Sequence, residues 1–523
     1  MVSTQWRHLP NSEYYHLLQL INFVYGVRNG KTTVLVIGAG IGGIATAARL
    51  ARNGYQVTVL EKNQQAGGRC DRLVKQGHSF DTAATLFLMP EKIAHTFKDL
   101  GERMEDHLDL RRIDPTYRIY FDDGSTLDLT SNLNMMQNQL EAMEPGSFGS
   151  YLRYLNEGHV NYKYAVSHLA GRNYYSLLEY FSLTNLPLLL RLKAMTKHYD
   201  NIENYFSDPR LKAAFTFQDM YLGISPYDAP ATYSLLQYTE IVDGVWFPIG
   251  GMYRFVEALT TIGEKLGVHF IYNAPVEEIT INNQRATGVT LTDGQQISAD
   301  ILVANADLPY VYRHLLPDES MADRIERKKF TCSSVMFYWG VDKQYPQLQP
   351  HNLFLAGNYR QSFDRVFKDL SLPDEPNFYV HAPARIDASM APEGHDTLMV
   401  LVPVGRINDT ASQDWSSIKQ RARQIVLKRL ADMGVRDLDE HIKFEMSFTP
   451  PDWKSRYNLA YGSGHGLSHV FTQIGYLRPR NRHDRYRNLY FVGASTHPGS
   501  GLPTVLISAR LTTERVLRDT GVL

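Results

Sequence analysis

Cysteine is scarce in this chain. Only Cys70 and Cys332 occur among the 523 residues, and they lie far apart in the sequence. Two distant thiols cannot build a disulfide framework, and they cannot supply the cysteine cluster of a zinc or iron–sulfur site. We therefore expect no bound metal, and the low cysteine content favours a reducing compartment.

An excess of charge of one sign is also lacking. The chain has 54 Lys and Arg residues against 55 Asp and Glu residues, which gives a formal net charge of -1. This balance provides no attraction for a phosphate backbone, so nucleic acid is not expected as a partner. The hydrophobic fraction of 43% and the charged fraction of 21% are ordinary for a globular protein and exclude a disordered or fibrous class.

Long hydrophobic runs are absent as well. No stretch reaches the ~20 apolar residues that a membrane-spanning helix needs. An apolar segment near the start, residues 17–25, is short and is interrupted by Gln19 and Asn22. It lacks the basic residues and the cleavage site that flank the apolar part of a signal peptide, so a short amphipathic helix is favoured. Residues 1–30 are predicted to form an N-terminal extension, whose role the sequence does not indicate.

A strand–helix–strand unit with a glycine-rich turn begins at Thr33. Residues 34–37 are apolar, as is typical of a buried parallel strand, and residues 38–43 follow with the pattern G-x-G-x-x-G. A helical segment then ends near Gly54, and a second apolar strand, residues 57–60, leads into an acidic residue. This is the complete context in which the glycine pattern predicts dinucleotide binding.

Each glycine in this unit has a separate predicted role. Gly38 permits the tight turn, Gly40 lets the backbone approach a pyrophosphate, and Gly43 allows the helix and strand to pack closely. The N-terminus of the helix offers free N–H groups to the phosphates. Glu61, about 20 residues further on, is expected to accept hydrogen bonds from ribose hydroxyls, and its negative charge disfavours NADP.

Two further glycine-rich segments favour FAD over NAD. Gly67, Gly68 and Arg69 follow the acidic residue closely, where a longer ligand requires a second close approach of the backbone. Near the C-terminus an apolar strand ends at Gly493, and a loop rich in Gly and Pro leads into a helix near Val505. The N-terminus of this helix would stabilise the negative charge that reduction places near N1 and C2=O of a flavin.

Together these segments resemble the superfamily of FAD-dependent amine oxidases and carotenoid desaturases. The middle of the chain closely resembles the bacterial and fungal type of phytoene desaturase. The similarity lies in residues 216–223, 225–230, 233–240, 244–252, 305–307, 379–383, 391–394 and 493–503. The sequence departs from the family's usual residues at Ala83 and Ala84, at Ser495, and at Gly464 and His465. We expect the first two departures near the flavin ring and the third near the substrate wall.

The resemblance implies an α/β fold in which a Rossmann-like FAD-binding domain is interleaved with a mixed α+β substrate domain. The FAD-binding domain is expected to comprise residues 31–100, 241–310 and 460–523. The substrate and membrane-contact domain is expected to comprise residues 101–240 and 311–459. The resemblance also implies cofactor contacts at Val276, near the adenine, and at Gly493, Gly501, Pro503, Thr504 and Val505.

The resemblance further implies an FAD-dependent oxidoreductase acting on CH–CH bonds, a carotenoid desaturase that converts phytoene stepwise towards lycopene. Flavin takes the hydride, because no amino-acid side chain can, and the neighbouring carbon loses a proton. Oxygen or a quinone is the expected electron acceptor. Glu179 is the candidate proton acceptor, since related desaturases carry an acidic residue in this region. Solvent is the alternative acceptor, and Glu179 also suits the polar face of a helix.

A long carotenoid hydrocarbon barely dissolves in water, so the substrate is expected to arrive from a bilayer. An apolar surface with a basic rim is predicted for this contact. It consists of Tyr180, Phe181, Leu183, Leu186, Leu188, Leu189 and Leu190, edged by Arg191 and Lys193. The same apolar residues also suit a core. The resemblance therefore implies a cytoplasmic protein that is peripheral to the membrane.

The sequence leaves three other functions open. Another carotenoid desaturase or isomerase of the same architecture would use the same flavin on a different polyene. A flavin amine or porphyrinogen oxidase agrees less well with the desaturase-like middle of the chain. A lipid-binding escort protein of this fold, which acts without flavin, is disfavoured by Glu61 and by the two further glycine-rich segments.

Overall fold

The computed structural model describes residues 31–182, 185–317 and 319–523. The predicted N-terminal extension and its amphipathic helix at residues 17–25 lie outside these ranges. A five-stranded sheet is built from both ends and the middle of the chain, and all of its strand pairs are parallel. Its strands, in spatial order, are Leu489–Phe491, Ile301–Ala304, Thr33–Ile37, Gln56–Leu60 and His269–Ile271. The predicted α/β class with a Rossmann-like sheet is confirmed.

The two faces of this sheet carry different layers. Val34 and Val36 face one core, into which the helices Ile41–Arg52, Tyr253–Lys265 and Leu502–Asp519 pack. Leu35 and Ile37 belong to a second core, shared with an antiparallel sheet of Val276–Asn282, Arg285–Leu291 and Gln296–Ser298. Because both faces are covered, the strand is apolar throughout, in the way that its sequence predicts.

A seven-stranded mixed sheet forms the second large layer. In spatial order its strands are Ile442–Phe448, Ser333–Val341, Asp396–Val404, Phe378–His381, His351–Phe354, Tyr117–Tyr120 and Thr126–Leu129. The pair His351–Phe354 and Tyr117–Tyr120 is parallel, and the other pairs are antiparallel. The helix Trp415–Asp432 packs its Val426 and Leu430 against one face of this sheet.

The part of the chain between the strands Thr126–Leu129 and Val245–Pro248 is mainly helical. Among the described residues from 130 to 244 there is no strand. Its α-helices are Leu133–Met143, Ser147–Tyr164, Leu177–Tyr180, Leu186–Arg191, His198–Ile202, Pro209–Ala214 and Ser234–Tyr238. No helix within the described ranges is both long and apolar enough to cross a membrane.

The remaining elements are short and connect these layers. Two-stranded pairs join Arg72–Lys75 to His78–Asp81 and Leu110–Ile113 to Val245–Pro248. The other α-helices are Pro90–Leu100, Leu308–Tyr310, Glu319–Glu326, Tyr359–Phe367, Leu438–His441 and Pro450–Tyr457. Wider π-turns occur at Ala165–Ala170, Thr239–Asp243 and Val311–Leu315. Single 3₁₀ turns occur at Met104–Asp106, Phe217–Leu222, Ala231–Tyr233, Pro383–Arg385, Ala388–Met390, Ala460–Gly462, Phe471–Gln473 and Gly475–Leu477.

Candidate functional site

A long cavity, here called the first cavity, opens at the carboxyl ends of the parallel strands. Gly38, Glu61, Asn305 and Val492 each follow directly after one of these strands, and all four line the cavity. The carboxyl edge of an open parallel sheet is where ligands bind in such folds, because the connecting loops diverge there.

The glycine-rich turn forms one wall of the first cavity. Gly38 has a φ of 97°, which favours glycine, and a Cβ atom on Gly43 would lie 2.1 Å from the Gly38 carbonyl oxygen. Gly38 and Gly40 line the cavity, whereas Gly43 lies in the predicted contact between helix and strand. The helix Ile41–Arg52 has no side-chain cap and no acidic residue in its first turn, so its N–H groups are free for an anion.

Glu61 is buried beside this turn, with 5% of its surface exposed. Its carboxylate accepts hydrogen bonds from the N–H of Ala39 at 2.8 Å and from the N–H of Asn63 at 2.9 Å. Burial raises the pKa of this carboxyl, and the two backbone donors oppose that rise. Each oxygen keeps a second lone pair, which is what ribose hydroxyls require.

The second glycine-rich segment, Gly67 and Gly68, contacts the glycine-rich turn at residues 38–43. The N–H of Gly67 donates to the carbonyl of Ala39 at 2.8 Å, and a Cβ atom on Gly68 would lie 3.3 Å from the Cα of Gly40. Arg69 donates from Nη1 to a carbonyl oxygen 2.8 Å away, that of Gly464. Gly67, Gly68 and Arg69 all line the first cavity, where the sequence predicts them.

The C-terminal loop separates the predicted cofactor contacts into two groups. Gly493, Gly501 and Val505 line the first cavity, as does Val276 from the antiparallel sheet. Pro503 and Thr504 instead line a second, adjoining cavity, as Gly501 also does. The helix Leu502–Asp519 begins here without a side-chain cap. Its first residue, Leu502, lines both cavities, so the positive end of the helix dipole lies where the two spaces meet.

The second cavity is larger and mainly apolar. It encloses about 2190 Å³ of empty space against about 1500 Å³ in the first, both including their open mouths. Leu, Tyr, Phe and Ala side chains dominate its wall, and the described residues that line it include no Asp, Glu, Lys or Arg. Six residues line both cavities: Ala83, Ala84, His465, Ser500, Gly501 and Leu502. The two spaces therefore meet at this junction.

Three histidines line the second cavity near the junction, and their surroundings favour the neutral imidazole. Burial, together with the nearby charge of Arg69, lowers the pKa of His465 to about 4. Burial likewise lowers the pKa of His497 to about 4 and that of His469 well below its ordinary value. The second cavity is consequently an uncharged space at neutral pH.

Glu179 lies outside the lining of both cavities. It lies partly exposed on the helix Leu177–Tyr180, where its carboxylate accepts a hydrogen bond from Arg172 at 3.0 Å and another from the N–H of Tyr175 at 2.9 Å. In this arrangement the carboxylate is paired with Arg172 at the surface, and its role as proton acceptor stays a prediction.

The predicted apolar surface is also divided. Tyr180 and Leu189 are buried and line the second cavity, whereas Phe181, Leu186 and Leu190 are exposed. Leu183 lies outside the described residues. The short helices in this segment thus have one face towards the cavity and one towards solvent, which accounts for a leucine-rich sequence that suits both a core and a surface.

Several residues of the site carry no specific prediction from the sequence. Asn305 donates from Nδ2 to the Gly38 carbonyl at 3.2 Å and lies against the glycines of the turn. Asp307 accepts from the Ser495 hydroxyl at 2.5 Å, and burial raises its pKa. In the sequence, residues 305–307 match the family, but no general motif assigns a role to Asn305 or Asp307.

Comparisons with known proteins agree with this geometry. The family model described as "Flavin containing amine oxidoreductase" matches residues 41–517. A "zeta-carotene-forming phytoene desaturase" of Myxococcus xanthus is 47% identical, with 92% of this chain and 93% of that protein covered. A "Phytoene desaturase" of Fusarium fujikuroi is 41% identical, with 94% and 90% covered. A solved oxidoreductase of Methanosarcina mazei has a TM-score of 0.62 at 16% identity over 92% of this chain and all of its own, which shows the shared fold.

Fold, first cavity and family together define an FAD-dependent oxidoreductase. The chain belongs to the flavin containing amine oxidoreductase family and, within it, to the phytoene desaturases. The residues present fit FAD, because an uncapped helix end, a buried acceptor at Glu61 and two touching glycine segments line one continuous cavity.

Proposed function

We propose that this protein desaturates a long carotenoid hydrocarbon, phytoene or a related polyene, stepwise towards lycopene. The observation that carries the proposal is the second cavity, a large apolar space without formal charge that meets the first cavity at the junction. A hydrocarbon chain gains free energy by leaving water for such a wall. The names of the close relatives support the same substrate class.

Bound FAD supplies the hydride acceptor that no side chain can provide. The protein's own residues hold the substrate in line with the junction and exclude water from it. Leu235, Leu236 and Leu401 supply apolar wall, while Tyr221 and Tyr379 supply aromatic faces. A position of the reacting carbon about 3–3.5 Å from the acceptor atom is the geometry that such packing must maintain.

The cofactor contacts predicted from the sequence are part of this proposal. We assign the phosphates to the turn at Gly38, Gly40 and Gly43, and a ribose to Glu61. The wall that holds the remainder of FAD comprises Gly67, Gly68, Arg69, Val276, Gly493, Gly501, Pro503, Thr504 and Val505. The FAD-binding domain would comprise residues 31–100, 241–310 and 460–523, and the substrate domain residues 101–240 and 311–459.

The chemistry of the second cavity argues against the other functions. A protonated amine or a porphyrinogen carboxylate needs an opposite charge, and the described lining contains no acidic side chain, Lys or Arg. An escort protein without flavin has no use for the buried Glu61 beside an uncapped helix end. A desaturase or isomerase that acts on a different polyene would need the same apolar walls. The identity of the reaction product distinguishes that function from the one proposed.

Peripheral membrane contact completes the proposal. Leu177 and Leu178 are exposed on one short helix, Phe181 directly after it, and Leu186 and Leu190 on the next helix, with Leu178 exposed by 85%. The opposite faces of these helices line the second cavity, so a bilayer at this surface would deliver the substrate into it. Arg191 is exposed at the edge, where anionic lipid headgroups would lie. We propose oxygen or a membrane quinone as the electron acceptor.

Expression in a bacterial host that accumulates phytoene, followed by chromatography of the pigments, tests the function. Coloured products in the order ζ-carotene, neurosporene and lycopene are expected, and the last one formed defines the number of steps. Unchanged phytoene from protein that is folded and yellow with FAD would contradict the substrate assignment. Purified protein with phytoene in liposomes, under air or under argon with a quinone, identifies the acceptor, and peroxide release with added amines would favour the oxidase.

A further inference from the structure

Arg478 is a fully buried arginine that connects two loops of the site. Only 1% of its surface is exposed. A guanidinium has five N–H donors, and each of the five here meets a backbone carbonyl oxygen. The acceptors are Thr496 at 3.1 Å, Ser468 at 3.0 Å, Gln473 at 3.1 Å, Leu467 at 2.9 Å and Ala494 at 2.6 Å. No donor is left for a carboxylate.

The positive charge of this side chain is therefore solvated by backbone carbonyl oxygens and not by a directly bound carboxylate. Within the described part of the chain Arg478 forms no ion pair, and the groups that act on its charge from nearby are the Tyr233 phenol and the Asp307 carboxyl. Asp307 is itself hydrogen-bonded to Ser495 and to the N–H of Ala460, and burial raises its pKa. Burial lowers the pKa of Arg478 to about 10, so the guanidinium stays protonated at neutral pH. A buried charge without a directly paired counter-ion is costly, which calls for a function.

The guanidinium lies directly behind the walls of both cavities. Ala494 and Thr496, whose carbonyls it holds, line the first cavity, and Gly475 and His469 from the other loop line the second. The charge also reaches into this space. Burial is the main cause of the low pKa values of His469 and His497, and Arg478 lowers both of them further.

Two physical effects follow at the junction. The oxygen atoms of the five carbonyl groups point at Arg478, so the negative ends of these carbonyl dipoles are directed towards the guanidinium and away from the cavities. The buried positive charge acts through a medium of low dielectric constant, where screening by water is weak. Both effects favour an anion in the adjoining space.

We propose that Arg478 is a positioning residue that stabilises the reduced, negatively charged state of the flavin and so raises the midpoint potential of bound FAD. The proposal rests on FAD in the first cavity and is independent of the identity of the hydrocarbon. A flavin in this position gains negative charge on reduction, and a cation without a direct ion pair behind the wall lowers the free energy of that state more than that of the oxidised state.

The test is a reductive titration of purified, FAD-loaded protein against a redox dye, without any carotenoid. Arg478→Met removes the charge at similar length. We expect the affinity for reduced relative to oxidised FAD to fall about tenfold, which is a midpoint potential about 30 mV more negative for a two-electron couple. Arg480→Met is the matched control, because Arg480 pairs with Asp484 on the surface and lines neither cavity, and its potential should equal that of the wild type.

Two further variants separate charge from hydrogen bonding. Arg478→Lys keeps the charge with fewer donors and should retain the potential of the wild type, even where FAD dissociates faster. Arg478→Gln is neutral but keeps two N–H donors, and it replaces Arg478→Met if the latter does not hold FAD. A wild-type potential in the neutral variants, or an equal fall in Arg478→Lys, would overturn the proposal. Unchanged phytoene with a shifted potential would contradict only the substrate assignment.

Discussion

Glu61 combines two tasks in one side chain. It fixes the glycine turn by accepting from Ala39 and Asn63, and it offers its remaining lone pairs to the first cavity. Glu61→Arg removes both carboxylate acceptors and places a longer side chain, which has donors alone, where a ribose hydroxyl needs an acceptor. Hydrogen bonds to charged groups contribute about 1.5–3 kcal/mol, so FAD should bind about 10-fold to 100-fold more weakly. Fluorescence titration of the apoprotein with FAD measures this.

The control for this substitution lies on the strand Val276–Asn282 of the antiparallel sheet. Glu277 is exposed, follows Val276 directly and does not line the first cavity. Glu277→Arg makes the same change of charge and should leave FAD affinity within twofold of the wild type, because solvent screens an exposed charge. Full flavin occupancy in Glu61→Arg would refute the ribose contact.

His381 gives the protein a predictable sensitivity to acid. It is buried, its Nδ1 lies 3.0 Å from the carbonyl of Pro350, and it stacks on His351. Burial lowers its pKa to about 4, so between pH 6.5 and 4 the unfolded chain binds a proton that the folded chain does not. The stabilising contribution is complete above pH 6.5 and is lost towards pH 4 by about 1.4 kcal/mol per pH unit.

Urea unfolding of the wild type and of His381→Gln at pH 7, 6 and 5 measures this contribution. The variant should be less stable at pH 7, because it loses packing, and its urea midpoint should change less than that of the wild type between pH 7 and 5. The same dependence on pH in both proteins would show that His381 does not titrate in this range.

At the scale of elements, the helix Ile41–Arg52 depends on glycine at its start. A Cβ atom at Gly43 would meet the Gly38 carbonyl oxygen at 2.1 Å, a distance that forces helix and strand apart. Gly43→Ala should therefore destabilise the fold by about 1–3 kcal/mol and weaken FAD binding, because the N–H groups of the turn move with the helix.

Gly149 provides the matched control for that substitution. It lies exposed in the helix Ser147–Tyr164, and a Cβ atom there would have open space. Gly149→Ala should stabilise the protein by about 0.5–1 kcal/mol, since alanine loses less backbone entropy in a helix. Thermal unfolding and FAD titration of both variants distinguish loss of space from a general effect of alanine.

The elements differ in how far their sequences define them. The apolar run at Thr33–Ile37, followed by glycines, predicts a buried strand and its turn, because the conformation depends on adjacent residues. In the segment from Leu177 to Arg191, the sequence shows where the leucines are but not which of them face the protein interior. Only the packing of its two short helices against the second cavity decides that Tyr180 and Leu189 face inward and Leu178 and Leu190 outward.

At the scale of the whole molecule, the joined cavities and the exposed apolar face predict membrane association. Leu178→Glu places a charge at the most exposed leucine of that face. Burying one leucine side chain contributes about 1.5–3 kcal/mol, so binding to vesicles should weaken about tenfold or more. Co-sedimentation with vesicles of phosphatidylcholine containing a fraction of anionic lipid measures the loss.

Val74 supplies the control surface for this experiment. It is 64% exposed on a hairpin that does not line the second cavity. Val74→Glu should bind vesicles like the wild type, and both variants should retain FAD in solution because neither residue lines the first cavity. Equal binding by all three proteins would place the membrane contact elsewhere.

The sequence by itself determined the dinucleotide turn, its acidic partner and the second glycine pair. These features depend on local backbone geometry, which particular residue types indicate. Glycine occurs where φ is positive or where another backbone segment is close, and an acidic residue stands at the end of a strand. Glu179 shows the limit of such reasoning, since its helix and its family position were visible while its ion pair with Arg172 was not.

Only the tertiary structure decided how the two cavities meet and what surrounds them. Ala83, His465 and Gly501 come from three distant parts of the chain and share one junction, a fact that no local pattern contains. Arg478 is the clearest case. In sequence it is one basic residue among several, and only the folding of two loops around it gives a buried cation with five carbonyl partners, because burial and charge compensation are properties of the packed chain.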